Sequence, residues 1–149
     1  MALMSIPKFE RFFRLAASLD VDKADLNRYD EFVNHEIYDL LLRAQATAKA
    51  NARDIIFPQD LPITKGLQER MHEFRKLDEQ IELKPILDQL AKRPLLDLAY
   101  NEETEEAFPD IAGGFSLALA RSFKIIDPEV KNPMTEHWNR AFALFDLVL

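Results

Sequence analysis

Ala48-Lys49-Ala50-Asn51-Ala52-Arg53-Asp54-Ile55-Ile56-Phe57-Pro58-Gln59-Asp60-Leu61 closes one amphipathic helical pattern and opens the next. Its chemistry runs basic, apolar, acidic: Arg53, then Ile56 three residues on, then Asp60 seven residues on. A helix ending near Arg53, an extended step through Ile55 and Ile56, and a new helical turn carrying Asp60 would bring guanidinium and carboxylate together. Asp60 would then sit near the positive end of the new helix and Arg53 near the negative end of the old one, which favours both charges. The stretch therefore reads as a clamped turn between helices, a device of the fold before it is one of activity.

Working outward, the upstream pattern is the strongest in the chain. Leu26, Tyr29, Val33, Ile37, Leu40, Leu41, Ala44 and Ala48 follow helical spacing with no proline or glycine, which predicts one long helix from Asp22 to about Ala52. Before it, Ser5-Ile6-Pro7 suits a helix start, and Phe9, Phe12, Phe13 and Ala16 form the buried face of a first helix reaching about Leu19. Asp20-Val21-Asp22-Lys23 is the break, with Asp22 placed to cap the long helix. Downstream, Pro58 suits the first turn of a third helix, but Pro62 would remove a hydrogen bond there. Leu67, Met71, Phe74, Leu77 and Ile81 continue that helix.

The second half repeats the order without repeating the residues. Pro85 opens a short helix ended by Pro94, and an apolar helix runs from about Pro109 to Ile126 with Gly113 and Gly114 inside it. Two interior glycines cost about 1 kcal/mol each relative to alanine, which predicts a close helix crossing as the compensation. Asp127-Pro128 stops this helix, Val130 suits a loop strand, and Trp138, Phe142, Phe145 and Leu149 form the stripe of a terminal helix. Helix, long helix, helix thus occurs twice.

Composition agrees with an all-α chain. Of 149 residues, 48% are apolar and 30% charged, a globular balance, and only three are glycine, too few for a β-rich chain of tight hairpins. The absence of cysteine excludes disulfides, thiolate metal sites and cysteine nucleophiles, and fits a cytoplasmic protein. No secretory signal or membrane span is evident. Net charge is −7; residues 1–53 hold eight basic and eight acidic side chains, so the whole deficit lies in residues 54–149. Such a field repels a phosphate backbone at long range and excludes bulk DNA packaging.

The Arg53, Ile56, Asp60 series resembles the second loop of the histone fold. Pro7-Lys8-Phe9-Glu10-Arg11-Phe12-Phe13-Arg14-Leu15-Ala16-Ala17 resembles the first helix of archaeal histones, with Arg11 and Arg14 in the basic places, and Val21 resembles the apolar residue of the first loop. The match covers roughly residues 5–80. It implies a single compact domain over 1–149 made of two histone-like halves, 1–82 and 83–149, folded as an intramolecular pseudodimer. In this respect the chain is similar to the single-chain doubled histone-fold proteins of bacteria, whose role is largely uncharacterised. The resemblance further implies that Val21 pairs with Ile56 through a short two-stranded bridge. The second half lacks an Arg and Asp clamp of its own.

Candidate chemistry is sparse. His35, His72 and His137 are the three imidazoles. Glu69-x-x-His72 has the spacing of helical di-iron sites, but no second copy exists, and Glu31 with His35 is a spacing common on solvated helices. Ser5, Ser18, Ser116 and Ser122 lack glycine-framed turns, so no catalytic residue, metal site or cofactor is expected. Lys8, Arg11, Arg14, Lys49 and Lys65 are the DNA-contact candidates, the first three sharing one side of the first helix, whereas Arg53 is spent on Asp60. Asp20, Asp22 and Asp25 oppose DNA at the first loop. The expectation is a non-enzymatic protein, monomeric as a pseudodimer. Weak, salt-sensitive association with double-stranded DNA through the first helix is one reading and a protein-interaction role without DNA the alternative, with a di-metal carboxylate enzyme a minor third.

Overall fold

The computed structural model describes residues 6–91 and 94–148. Ser5 and Leu149, the expected first and last residues of the outer helices, lie outside the described residues. The chain is mostly helical, with one small parallel sheet. Helix α1 (Ile6–Ala17) buries Phe9, Phe12 and Phe13 at the expected spacing. It ends two residues earlier than the sequence pattern suggests, because Ser18 takes a left-handed conformation (φ 56°) and its amide donates to the Arg14 carbonyl at 2.9 Å. That reversal turns Leu19 into the core, where it is fully buried.

Helix α2 (Lys23–Ala50) starts on a reciprocal cap: Asp22 accepts from the Asp25 amide and Asp25 accepts from the Asp22 amide, both at 3.0 Å. Beyond it come strand β1 (Ile55–Ile56) and a single 3-10 turn, Pro58–Asp60. The third helix does not begin at Pro58. Pro62 has no N–H to return to the turn, the chain stays extended past it, and α3 (Lys65–Ile81) starts only after Thr64, whose hydroxyl accepts the Leu67 amide at 3.1 Å. Glu82 (φ 57°) then reverses the chain into α4 (Lys84–Leu90), while Asp78 Oδ1 caps it by accepting from the amides of Leu83 and Lys84.

Strand β2 (Ala99–Tyr100) lies parallel to β1, with Ile55 opposite Ala99 and Ile56 opposite Tyr100. Ile56 therefore does not pair with Val21. The reason is geometric: α2 has 28 residues and separates the two loops by about 40 Å, so neither can reach the other. Each loop instead meets a segment from the opposite half of the chain. Asp20 donates its amide to the Lys131 carbonyl at 2.6 Å, and Asn101 donates to the Ile56 carbonyl at 3.0 Å.

After β2, α5 (Glu102–Glu106) and α6 (Phe108–Ile126) are separated at Ala107, two residues before Pro109, which has no amide proton to offer the preceding turn. Helix α6 is the central element and packs on α1, α2, α3, α4 and α7. It approaches α3 at the two glycines: a Cβ on Gly113 would clash with the Phe74 ring, and one on Gly114 would lie 2.6 Å from Met71 Cγ. Its contact with α2 includes a buried hydroxyl pair, Tyr29 and Ser116, at 2.5 Å. Helix α7 (Thr135–Val148) buries Trp138, Ala141 and Phe145, with Trp138 edge-on to Phe123 and Phe145 edge-on to Phe32.

Candidate functional site

Three groups of polar side chains carry the candidate chemistry: the loop clamps, the basic residues and a carboxylate cluster on α2 and α7. In the first clamp, Arg53 Nη1 and Nη2 donate to Asp60 Oδ2 and Oδ1 at 2.6 and 2.5 Å. The Asp60 side chain is fully buried and also accepts the Phe57 amide at 2.9 Å, while the guanidinium carbon lies 5.4 Å from the centre of the Phe57 ring. These hydrogen bonds, Arg53's first, outweigh burial and hold the Asp60 carboxyl below its ordinary range. Both members are consumed by the loop.

The turn between α6 and α7 carries a different clamp. His137 Nε2 lies 3.1 Å from Asp127 Oδ2, and His137 Nδ1 accepts the Met134 amide at 2.9 Å. An Nδ1 that accepts leaves the ring proton on Nε2, which therefore donates to Asp127. That hydrogen bond, with the Glu129 amide, lowers the Asp127 pKa. The polarity is reversed relative to Arg53 and Asp60, with the acid first and the base ten residues later; the Asp127-Pro128 helix stop is the only sequence signal for it.

The basic candidates do not converge. Lys8 Nζ and Arg11 Nη1 lie 3.3 and 3.4 Å from the carbonyls of Glu82 and Gln80, and so cap the negative end of α3. Arg14 faces Asp20 at 3.8 Å, Lys49 binds Asp97 at 2.9 Å, and Lys65 faces Glu69 at 3.8 Å. Lys65 opens α3, about 25 Å along that helix from the end held by Lys8 and Arg11. Glu69 also pairs with Arg70, and Glu73 with both Arg70 and Arg121, so the Glu69-x-x-His72 spacing is embedded among cations.

The cluster that sequence reasoning missed joins the middle of α2 to the end of α7. His35 Nε2 lies 3.2 Å from Asp39 Oδ2 and 3.3 Å from Asp146 Oδ1. The sequence expectation set His35 against Glu31; the structure turns it towards i+4 and towards a residue 111 positions away. Partial burial favours a neutral His35, but Asp39 and Asp146 more than offset this and raise its pKa. Beside it Glu36 is 4% exposed, with Oε1 buried and unbonded among the described residues. Burial, with Asp39 and Asp146 adding to it and His35 opposing, pushes its carboxyl up to about 7. Glu36 and Asp39 line a cavity of about 110 Å³ with Arg43, Phe115 and Val148.

Residues 9–146 match the family described as a domain of unknown function, DUF1931. The chain belongs to this family. Two relatives from Aquifex aeolicus (strain VF5), both uncharacterised proteins, are 34% identical over 144 residues (86% of this chain, 82% of the relative) and 26% identical over 117 residues (78% and 68%). Among solved structures, the crystal structure of ttk003001566 from Thermus thermophilus is 52% identical, with a TM-score of 0.84 over 96% of this chain and 97% of that one. Protein AQ328 from Aquifex aeolicus shares the fold with a TM-score of 0.86 over the full length of both chains, at 24% identity. The solved relatives thus share this fold, and the two sequence relatives are uncharacterised bacterial proteins. Among the described residues no helix is long and apolar enough to cross a membrane.

Proposed function

We propose that this chain is a histone-fold pseudodimer that acts through protein contacts and not as a DNA packager or an enzyme. Supporting the pseudodimer, the loop at each end of α2 meets the other half of the chain: Ile56 beside Tyr100 at one end, Asp20 on Lys131 at the other. On this reading residues 1–82 and 83–149 are the two partners, and α2 and α6 are their central helices.

The observation that carries the choice against DNA is the use of the basic side chains. Lys8, Arg11, Arg14, Lys49 and Lys65 each face an oxygen of their own chain, in a protein of net charge −7. Phosphate binding would have to displace those oxygens and work against the overall field. Apolar side chains, in contrast, stand exposed around a groove between α3, α6 and α7: Ile125 is 77% and Val148 64% exposed, above walls that include Leu67, Phe115 and Phe145. Surface of this kind is what protein partners cover.

The test is a titration with duplex DNA at low and at moderate salt, comparing wild type with Arg11→Ala/Arg14→Ala. The reading predicts no salt-sensitive binding by either protein. Binding that weakens with salt and drops in the double variant would overturn it in favour of DNA association through α1.

A further inference from the structure

We propose that His35, Asp39 and Asp146, backed by Glu36, form a site for one divalent cation of the borderline class, Zn²⁺ or Co²⁺, which pins the end of α7 to the middle of α2. The donor atoms of His35, Asp39 and Asp146 all lie within 4.8 Å of one another. The two edges from the imidazole nitrogen to the carboxylate oxygens, 3.2 and 3.3 Å, equal the spacing of about 3.3 Å that a tetrahedral ion with bonds of about 2.0–2.1 Å imposes on its ligands.

Hydrogen bonding alone accounts for this arrangement poorly. Nε2 carries at most one proton, and one N–H points along one direction, yet two carboxylate oxygens sit almost equally close to it. An ion between them satisfies both at once. The second, independent observation is Glu36. Its carboxyl is nine-tenths buried or more, its Oε1 meets no partner among the described residues, and it opens on the cavity that Asp39 also lines. Ionising a carboxyl with an unbonded buried oxygen is costly, and a cation held at the neighbouring Asp39 offsets part of that cost.

The donor set chooses the ion class. One imidazole with two carboxylate oxygens suits Zn²⁺ and Co²⁺, whereas Ca²⁺ asks for about six to eight oxygens and Mg²⁺ for an octahedron of oxygen ligands. His35, Asp39 and Asp146 are about half exposed, so an ion and a completing water have a path in. Because Asp146 and His35 are 111 residues apart, occupancy would cross-link distant parts of the chain and stabilise the folded form.

The test uses the full chain stripped of metal with a chelator. Co²⁺ is titrated and followed by its visible d–d absorption, and thermal unfolding is followed with and without Zn²⁺, for wild type, Asp146→Asn and Glu36→Gln. The proposal predicts saturable absorption at one Co²⁺ per chain and a higher Tm with Zn²⁺ in wild type, both absent in Asp146→Asn, and affinity about 10-fold weaker or worse in Glu36→Gln. Asp146 is a surface residue, so its variant is expected to keep the wild-type helical spectrum; if it does not, Asp39→Asn takes its place. Wild type without a metal response, or a response of equal size in the variants that traces to His72 or His137, would overturn the proposal.

Discussion

The indole Nε1 of Trp138 donates to Asp25 Oδ1 at 2.9 Å inside the protein, tying the last helix of the chain to the first turn of α2, 113 residues away. The other oxygen of the same carboxylate accepts the Asp22 amide and completes the α2 cap. Asp25 thus serves helix initiation and the anchoring of α7 together. Its burial raises its pKa, against the opposing pull of the Asp22 amide and the indole.

Trp138→Phe keeps most of the packing against Phe123 and removes only the donor. Oδ1 of the buried carboxylate then loses its donor while Oδ2 keeps the Asp22 amide, at a cost of about 1–3 kcal/mol. Urea unfolding would show a lower midpoint with an unchanged slope, and a loss larger than that of an exposed substitution such as Arg140→Ala.

Asp60 sets a pH dependence whose sign follows from its lowered pKa. The folded carboxyl titrates below its ordinary 3.8, so its contribution is fully present above that value and is lost as the pH falls through the folded pKa. Asp60→Asn keeps the shape, leaves Arg53 without its counter-charge and costs about 3 kcal/mol at neutral pH. The deficit relative to wild type should shrink below about pH 3.8, measured as the difference in Tm across a pH series.

The glycines divide by what surrounds them. Gly113→Ala drives a methyl group into the Phe74 ring where α6 crosses α3, and should cost about 1–3 kcal/mol or more. Gly66, in the first turn of α3, has nothing within 4 Å of the added carbon, so Gly66→Ala should stabilise by about 0.5–1 kcal/mol. Thermal melts of the two variants should therefore move in opposite directions.

Local features of this fold are readable from residue spacing, and cross-chain ones are not. The uninterrupted stripe from Leu26 to Ala48 specifies α2 because nothing in it competes with a helix, and Arg53 and Asp60 lie close enough in sequence to suggest one turn. The partner of Ile56 is invisible to the same reasoning: Tyr100 is 44 positions on, and its two-residue strand has too few positions to show a period. Gly113 and Gly114 announce a close crossing but not that α3 is the helix crossed. His35 is the clearest case at the candidate site, since its own helix offers Glu31 and Asp39 with equal spacing and only the fold of α7 brings in Asp146.

The most direct test of the central claim, that two halves of one chain complete each other, is to produce residues 1–82 and 83–149 as separate fragments and follow helicity and thermal unfolding alone and mixed. The account predicts that neither fragment melts cooperatively as a monomer, since Phe32 and Tyr29 would lose Phe145 and Ser116, and that mixing restores a one-to-one complex with the helical signal of the intact chain. A fragment that folds cooperatively as a monomer, with no gain on mixing, would contradict it.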